Sequence, residues 1–332
     1  MTTFSAALFG LSLAFAAIVM MALPASAQVT LRYAHVGAEG EGQTRFGEEL
    51  AKRIEERTEG RVEVDVFPNS QLGNLSEMLD GVRVGAIQMA HHDFSSLDRF
   101  YEDVAVFNAP FAYRGMEHAM RATAPGSPVL DEINEKLVEN ANIRIIGNFY
   151  RGARHLTARY PVYSPADMAG KKFRGVPIQL WSTMLEGMGA IPTPVEISEI
   201  MPALMTGLVE GQENPLNNII ARKMYEANEY LMMTGHMESV LAVFVNDEAW
   251  QAIPDADRAI VEEVLAELGQ ESMEWYRNSE ADEIAFLKEQ GVTVITEAEG
   301  LKLDEFRKSV RAKVDEDYPQ WAEYLKRIDE IE

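Results

Sequence analysis

The feature that most restricts this chain is a hydrophobic period that keeps changing along its length. Val62, Val64 and Val66 alternate with Glu63 and Asp65, the pattern of a half-buried strand. Gln43–Thr58 instead spaces its apolar residues as a helix does, until Gly60 stops it. Val29–Val36, Ile87–Ala90, Ile143–Asn148, Phe173–Val176, Thr193–Val195 and Val240–Val245 read as further strands. Asn74 with Glu77 opens a capping-box helix to Val84, and Ser164-Pro165-Ala166-Asp167 is a second helix start. Strands and helices in turn specify an α/β fold with mainly parallel sheets. From Asp255 to about Gln290 the chain is helix-compatible, with Ile260, Val261, Val264, Leu265 and Leu268 on one face. About 35 residues at about 1.5 Å each make a rod of ~50 Å, longer than one small domain is wide. If Gly269 does not break it, that helix ties two lobes together. No repeat or low-complexity linker separates them, so the chain is expected to pass between the lobes more than once.

At 332 residues the chain suits two domains or one large one. Its 30 Lys+Arg against 53 Asp+Glu leave a formal charge of −23, which argues against nucleic acid or an anionic membrane as the main partner. Cysteine is absent, which excludes disulfides, thiolate metal sites, Fe–S clusters and cysteine nucleophiles.

Residues 1–27 carry no charged side chain, and Ala6–Leu23 is almost wholly apolar, ending in the A-x-A site Ala25-Ser26-Ala27. This reads as a signal peptide cleaved after Ala27, although its first residues lack the usual Lys or Arg. An uncleaved anchor is the alternative, because about 18 apolar residues is borderline for spanning a bilayer. An exported, soluble product is expected.

Enzyme motifs are scarce. Gly37, Gly40 and Gly42 follow a strand, but their spacing does not fit the dinucleotide fingerprint, and no Walker A, H-E-x-x-H, G-x-S-x-G or EF-hand loop occurs. His91-His92-Asp93 is the one metal-like cluster, yet adjacent histidines on a strand face opposite ways, so no metal and no cofactor is expected. One charge pattern stands out. Arg144, Arg151, Arg154, Arg159, Lys171, Lys172 and Arg174 face a single acid, Asp167, within an otherwise acidic chain. Arginine holds carboxylates bidentately and keeps its charge when buried, so this segment is a candidate anion site; pairing with the surplus acids is the competing reading. Gly207–Asn218 reads as a helix end, a short strand and a polar turn, where Asn, Gln and Pro suit a ligand crevice.

Three runs carry a resemblance: Lys172-Phe173-Arg174-Gly175-Val176-Pro177, Gly189-Ala190-Ile191-Pro192-Thr193-Pro194 and Glu210-Gly211-Gln212-Glu213-Asn214-Pro215. With Leu31–His35, Ser70–Gly73 and Met233–His236, they resemble the DctP-like solute-binding proteins of tripartite ATP-independent periplasmic (TRAP) transporters over essentially all of residues 28–332. The resemblance implies a two-lobed binding protein that closes on a small organic anion in the periplasm and delivers it to TRAP permease subunits. Lobe I is expected at 28–151 plus about 240–279, and lobe II at 152–239 plus about 280–332. Arg174 matches the family's carboxylate-clamping arginine, Arg154 a second arginine near the ligand, and Asn214 a ligand-bonding asparagine. His92, Leu75 and Ile197 align with cleft-lining positions. Gly175 and Glu210 depart from the family pattern, and glycine there is expected to loosen the strand beside the clamp. Acids are usual at Leu75 and His92 in sialic-acid binders, so that ligand is disfavoured.

The sequence reading is therefore a non-enzymatic, monomeric receptor for a dicarboxylate, an oxo or hydroxy acid, or a sugar acid. Trp181 and Phe94 are expected as apolar walls. The rivals are an exported enzyme acting on an acidic sugar and a ligand-sensing partner of a membrane kinase.

Overall fold

The computed structural model describes residues 28–332, so the leader and its A-x-A site lie outside the described residues. Nine strands are present among them: β1 (Val29–Ala34), β2 (Val62–Phe67), β3 (Met89–Asp93), β4 (Ile143–Ala158), β5 (Lys172–Gly175), β6 (Ile191–Pro194), β7 (Gly211–Pro215), β8 (Tyr230–Asn246) and β9 (Thr293–Ile295). They hydrogen-bond in the order β2-β1-β3-β8-β4-β7-β5-β6, with β9 beside β8. Five of the eight pairings are parallel; the three antiparallel ones all involve β4 or β8. The fold is a two-lobed α/β architecture, but its sheet is continuous. β4 and β8, 16 and 17 residues long, run as an antiparallel pair from one half into the other.

The sequence signal covered only one end of each of these long strands. Polar residues in their middles, among them Arg151, Arg154 and His155, interrupt the apolar run, because β4 changes its surroundings as it leaves one half for the other. The register slips between Tyr150 and Ala153 and again between Arg154 and Leu156. Gly152 sits at the first slip with φ of +101°, which a side chain would strain.

The helix Asp255–Glu289 is unbroken over 35 residues and touches every core. Val261, Val264, Leu265 and Leu268 pack with Leu31, Phe46 and Phe149; Met273 and Tyr276 join the central cluster; Leu287 packs with Ile200 and Leu231. Gly269 is a close-approach residue and does not interrupt the helix. A Cβ there would stand 2.8 Å from the Asn148 carbonyl oxygen of β4. Three residues on, Ser272 Oγ accepts from the Tyr150 N–H at 2.9 Å, pinning helix to strand.

Two local expectations are corrected. Ser164 caps a single 3-10 turn, Pro165–Met168, and no α-helix follows it. Asn217 and Asn218 belong to the helix Leu216–Ala221 that follows β7 directly, where a polar turn was expected. The helix Leu75–Arg83 does carry its Asn74–Glu77 capping box. No helix among the described residues is long and apolar enough to cross a membrane.

Candidate ligand-binding site

The carboxyl ends of several strands converge on one cleft, as the crossover geometry of α/β sheets dictates. Val36 follows β1, His92 and Asp93 end β3, Arg174 lies near the end of β5, Glu196 and Ile197 follow β6, and Asn214 lies near the end of β7; all line it. Arg151 and Arg154 enter from the irregular middle of β4, and Gln43 and Leu75 from helix starts. The space enclosed is only about 20 Å³, so the walls stand nearly against one another. A hollow of about 700 Å³ lies elsewhere, by Asn134, Asn148 and Trp250, but its Arg144 and Arg258 are paired with Asp247 and Asp255 and its buried polar atoms are satisfied. Size does not mark the site; unsatisfied chemistry does.

The basic segment divides by location. Arg144 pairs with Asp247 and Lys171 with Glu210, both on the exterior, while Arg159 and Lys172 are exposed. Arg151, Arg154 and Arg174 are buried at the cleft. Arg154 is spoken for. Its Nε and Nη2 donate to both Glu213 carboxylate oxygens at 2.5 and 2.7 Å, and Nη2 also reaches Asn214 Oδ1 at 3.2 Å. Trp181 Nε1 and His236 Nε2 complete the shell around Glu213 at 2.8 and 3.0 Å, and Thr234 Oγ1 meets His236 Nδ1 at 2.8 Å. Burial opposes charge on both partners, yet their mutual attraction prevails: Arg154 titrates above its ordinary value and Glu213 well below the carboxylate range. Trp181 thus stands behind Arg154, its ring 5.3 Å from the guanidinium carbon, and does not line the cleft.

Arg174 is different. Its Nε donates to the Val195 carbonyl at 2.8 Å, and its Nη1 meets no partner. Among the described residues it is the buried arginine with no carboxylate within 4.0 Å. Burial pushes its pKa down to about 9; Glu213 partly offsets this and neighbouring Arg154 adds to it. Gly175 beside it is tightly packed. A Cβ there would meet Leu185 at 3.2 Å and Trp181 at 3.4 Å, so those side chains occupy the room a branched residue would take.

His91 and His92 do face opposite ways. His91 sits among Tyr33, Phe46 and Phe149, whereas His92 borders the cleft, held neutral by burial with its pKa lowered to about 4. No group of three or more His, Cys, Asp or Glu able to hold a metal occurs among the described residues. Leu75 and Ile197 line the cleft, but Phe94 does not: it is wholly buried against Phe107, 5.1 Å between ring centroids. Glu213, His236 and Asp93 escaped sequence reasoning as a site, and Arg151 entered it only as one member of the basic segment. Glu213 lay inside the quoted G-Q-E-N-P run and Asp93 beside the two histidines, so a signal existed; the burial that gives them meaning did not show in the sequence.

A second constellation joins distant segments at the cleft rim. Buried Glu41 accepts from Arg222 Nε at 2.6 Å and Asn218 Nδ2 at 2.7 Å. The Gly42 N–H donates to Asn217 Oδ1 at 2.8 Å, and Arg222 Nη2 donates to the Val36 carbonyl at 2.8 Å. Gln43, a cleft residue, donates to the same Glu41 carboxylate.

The family described as bacterial extracellular solute-binding protein, family 7, matches residues 33–320. The chain belongs to that family. This solute-binding protein is 30% identical over 272 residues to one from Roseobacter denitrificans, spanning 81% of this chain and 82% of the relative. The crystal structure of that relative, with bound L-galactonate, superposes with a TM-score of 0.81 at 27% identity, over 90% of this chain and 98% of the other. The 2,3-diketo-L-gulonate-binding periplasmic protein YiaO of Escherichia coli is 29% identical over 310 residues (91% and 92% of the two chains). The C4-dicarboxylate-binding periplasmic protein DctP of Rhodobacter capsulatus is 30% identical over 255 residues (74% of each). The chain is a DctP-like TRAP solute-binding protein, and the proteins it resembles are receptors for small organic acids.

Proposed function

We propose that this protein captures a small organic carboxylate between its lobes in the periplasm and delivers it, as a monomer and without chemical change, to TRAP membrane subunits for ion-coupled uptake. The observation that carries this reading is Arg174 Nη1, a buried guanidinium nitrogen with no partner. An unpaired buried charge is expensive, and an anion presented to it relieves that cost. Arg174 is the clamp. Arg154 offers its own unengaged Nη1 from a frame that Glu213, Trp181 and His236 hold still, with Asn214 beside it. His92, Leu75 and Ile197 shape the remaining wall; Trp181 braces Arg154, and Phe94 takes no part in the ligand site. The ligands named for the relatives, a hexonate, a diketo sugar acid and C4-dicarboxylates, all carry the carboxylate this arrangement wants.

The lobe limits 28–151 with about 240–279, and 152–239 with about 280–332, are part of the same proposal. The slip of β4 after Tyr150, opposite Val240 and Glu238 of β8, supports a hinge there. So is export with cleavage after Ala27, which intact-mass measurement of the secreted protein tests: a mass retaining residues 1–27 overturns it.

For the function itself the test is thermal stabilisation by a panel of carboxylic acids and their uncharged alcohol or amide analogues, followed by calorimetry and recovery of the ligand. An acid at 100 times its Kd adds about 2.7 kcal/mol of stability. Stabilisation by an acid recovered unchanged is the expected result. Stabilisation by the neutral analogues alone, or turnover of the acid, overturns the reading.

A further inference from the structure

Four buried polar atoms at this one cleft lack any partner: Arg174 Nη1, Arg154 Nη1, His92 Nδ1 and Asp93 Oδ1. In folded proteins the large majority of buried side-chain polar atoms are paired, so four orphans around one small space describe what is missing from it. The two arginine nitrogens are donors only and together call for an oxyanion. They stand on the β4 and β5 side. Asp93 ends β3, which belongs to the other half of the sheet, and its free oxygen calls for a hydrogen-bond donor. Its second oxygen, Oδ2, lies 3.6 Å from both Arg151 Nη2 and His92 Nδ1, close enough to be oriented by them. Arg151 is otherwise committed to Ser239 Oγ, at 3.2 and 3.1 Å from its Nε and Nη2.

We propose that Asp93 is a specificity-determining residue that accepts a ligand hydroxyl and thereby selects hydroxylated monocarboxylic acids over dicarboxylates and over acids without hydroxyls. The inference rests on reading the cleft as a carboxylate receptor and names the class of acid it takes. A second carboxylate placed at this end would face the Asp93 oxygen, and no cation is spare to balance it: Arg151 leans on Asp93 and Arg154 is engaged by Glu213. An acid without a hydroxyl leaves Asp93 Oδ1 buried and unpaired, the situation in which sites discriminate most strongly. An ammonium group is disfavoured as the donor by Arg151 next to Asp93. His92, neutral at pH 7, matches either polarity of hydroxyl through Nδ1 and so adds contact without reversing the choice.

The experiment is calorimetric titration of the full chain with galactonate and glucuronate as hydroxy acids, succinate and adipate as dicarboxylates, and hexanoate as the bare acid. Wild-type protein is expected to bind at least one hydroxy acid more than about a hundredfold tighter than the other two classes. Asp93→Asn keeps the shape but turns an acceptor-only group into one that also donates. It is expected to weaken hydroxy-acid binding about 10- to 100-fold while leaving succinate and adipate unchanged or improved. If wild-type protein binds dicarboxylates as tightly as hydroxy acids, or if Asp93→Asn weakens every acid equally, the proposal is overturned and the receptor reading stands. If no acid of any class binds, the receptor reading itself falls. Should Asp93→Asn not fold, the wild-type panel alone decides, and Asp93→Asn with Arg151→Met removes both charges for a second attempt.

Discussion

Arg174 Nη1 and Arg154 Nη1 look alike as orphan nitrogens, yet their owners differ in one respect that decides their roles. Arg154 already has a carboxylate and Arg174 has none. Removing one partner of a buried, hydrogen-bonded charge pair costs about 2–5 kcal/mol, or roughly 30- to several-thousand-fold in affinity. Arg174→Ala is therefore expected to lose that much carboxylate affinity by calorimetry. Arg174→Lys should also bind poorly, because an ammonium lacks the planar fork. Arg159→Ala, exposed and off the cleft, should change affinity less than about tenfold. Folded Arg174→Ala binding within a few-fold of wild type removes the clamp. That Arg174 is a candidate clamp was legible from its family motif and its basic segment, and its buried, unpaired place at the cleft supports the proposal. The resemblance also set Arg154 near the ligand. That Arg151 would turn inward while Arg144 turned outward was not legible, because β4 slips register twice between Tyr150 and Leu156 and breaks the alternation by which faces are assigned.

Among the elements, the long helix is legible in its apolar face, and its glycine is the ambiguous sign. In a helix Gly→Ala ordinarily gains about 1 kcal/mol. At position 269 the added carbon meets the Asn148 carbonyl at 2.8 Å, and the helix cannot retreat while Ser272 is bonded to Tyr150. Gly269→Ala is expected to destabilise by about 1–3 kcal/mol, read as a lower denaturation midpoint in urea with an unchanged slope. A stabilised variant would mean the contact is loose. Strands buried on one face, such as β2, announce themselves by alternation. β4 and β8 are buried along nearly their whole length by different neighbours at each end, so only their most apolar stretches were visible.

For the molecule as a whole, two tests follow from buried charge. His35 and His92 are pushed down to about 4 by burial, and His155 to about 3. Unfolded, each takes its proton near 6.5; folded, each resists it, so stability falls as pH drops below that value. At pH 5 the loss is about 2 kcal/mol for each histidine. Asp98, raised by burial to about 6, works the other way over part of the same range but does not match three histidines. Tm should fall between pH 7 and pH 5; a flat or rising Tm contradicts these burials. The second test concerns the rim. Glu41 gathers Arg222, Asn218 and Gln43, and hydrogen bonds to a charged group are worth about 1.5–3 kcal/mol. Glu41→Gln should therefore favour the open form, lowering ligand affinity about tenfold or more and enlarging the ligand-free radius of gyration in solution scattering. An unchanged radius and affinity would show that these bonds do not hold the lobes together. The continuous sheet has a further consequence, in the order of assembly. β3, complete by residue 93, has its edge filled only by residues 241–245, and β4 pairs along its length with a strand that begins at residue 230. A chain delivered from its N-terminus must therefore carry an unpaired strand edge until some 150 further residues have arrived. Neither half can finish before the other has begun, so folding should be slow, governed by distant closures, and vulnerable to self-association until β8 is in place.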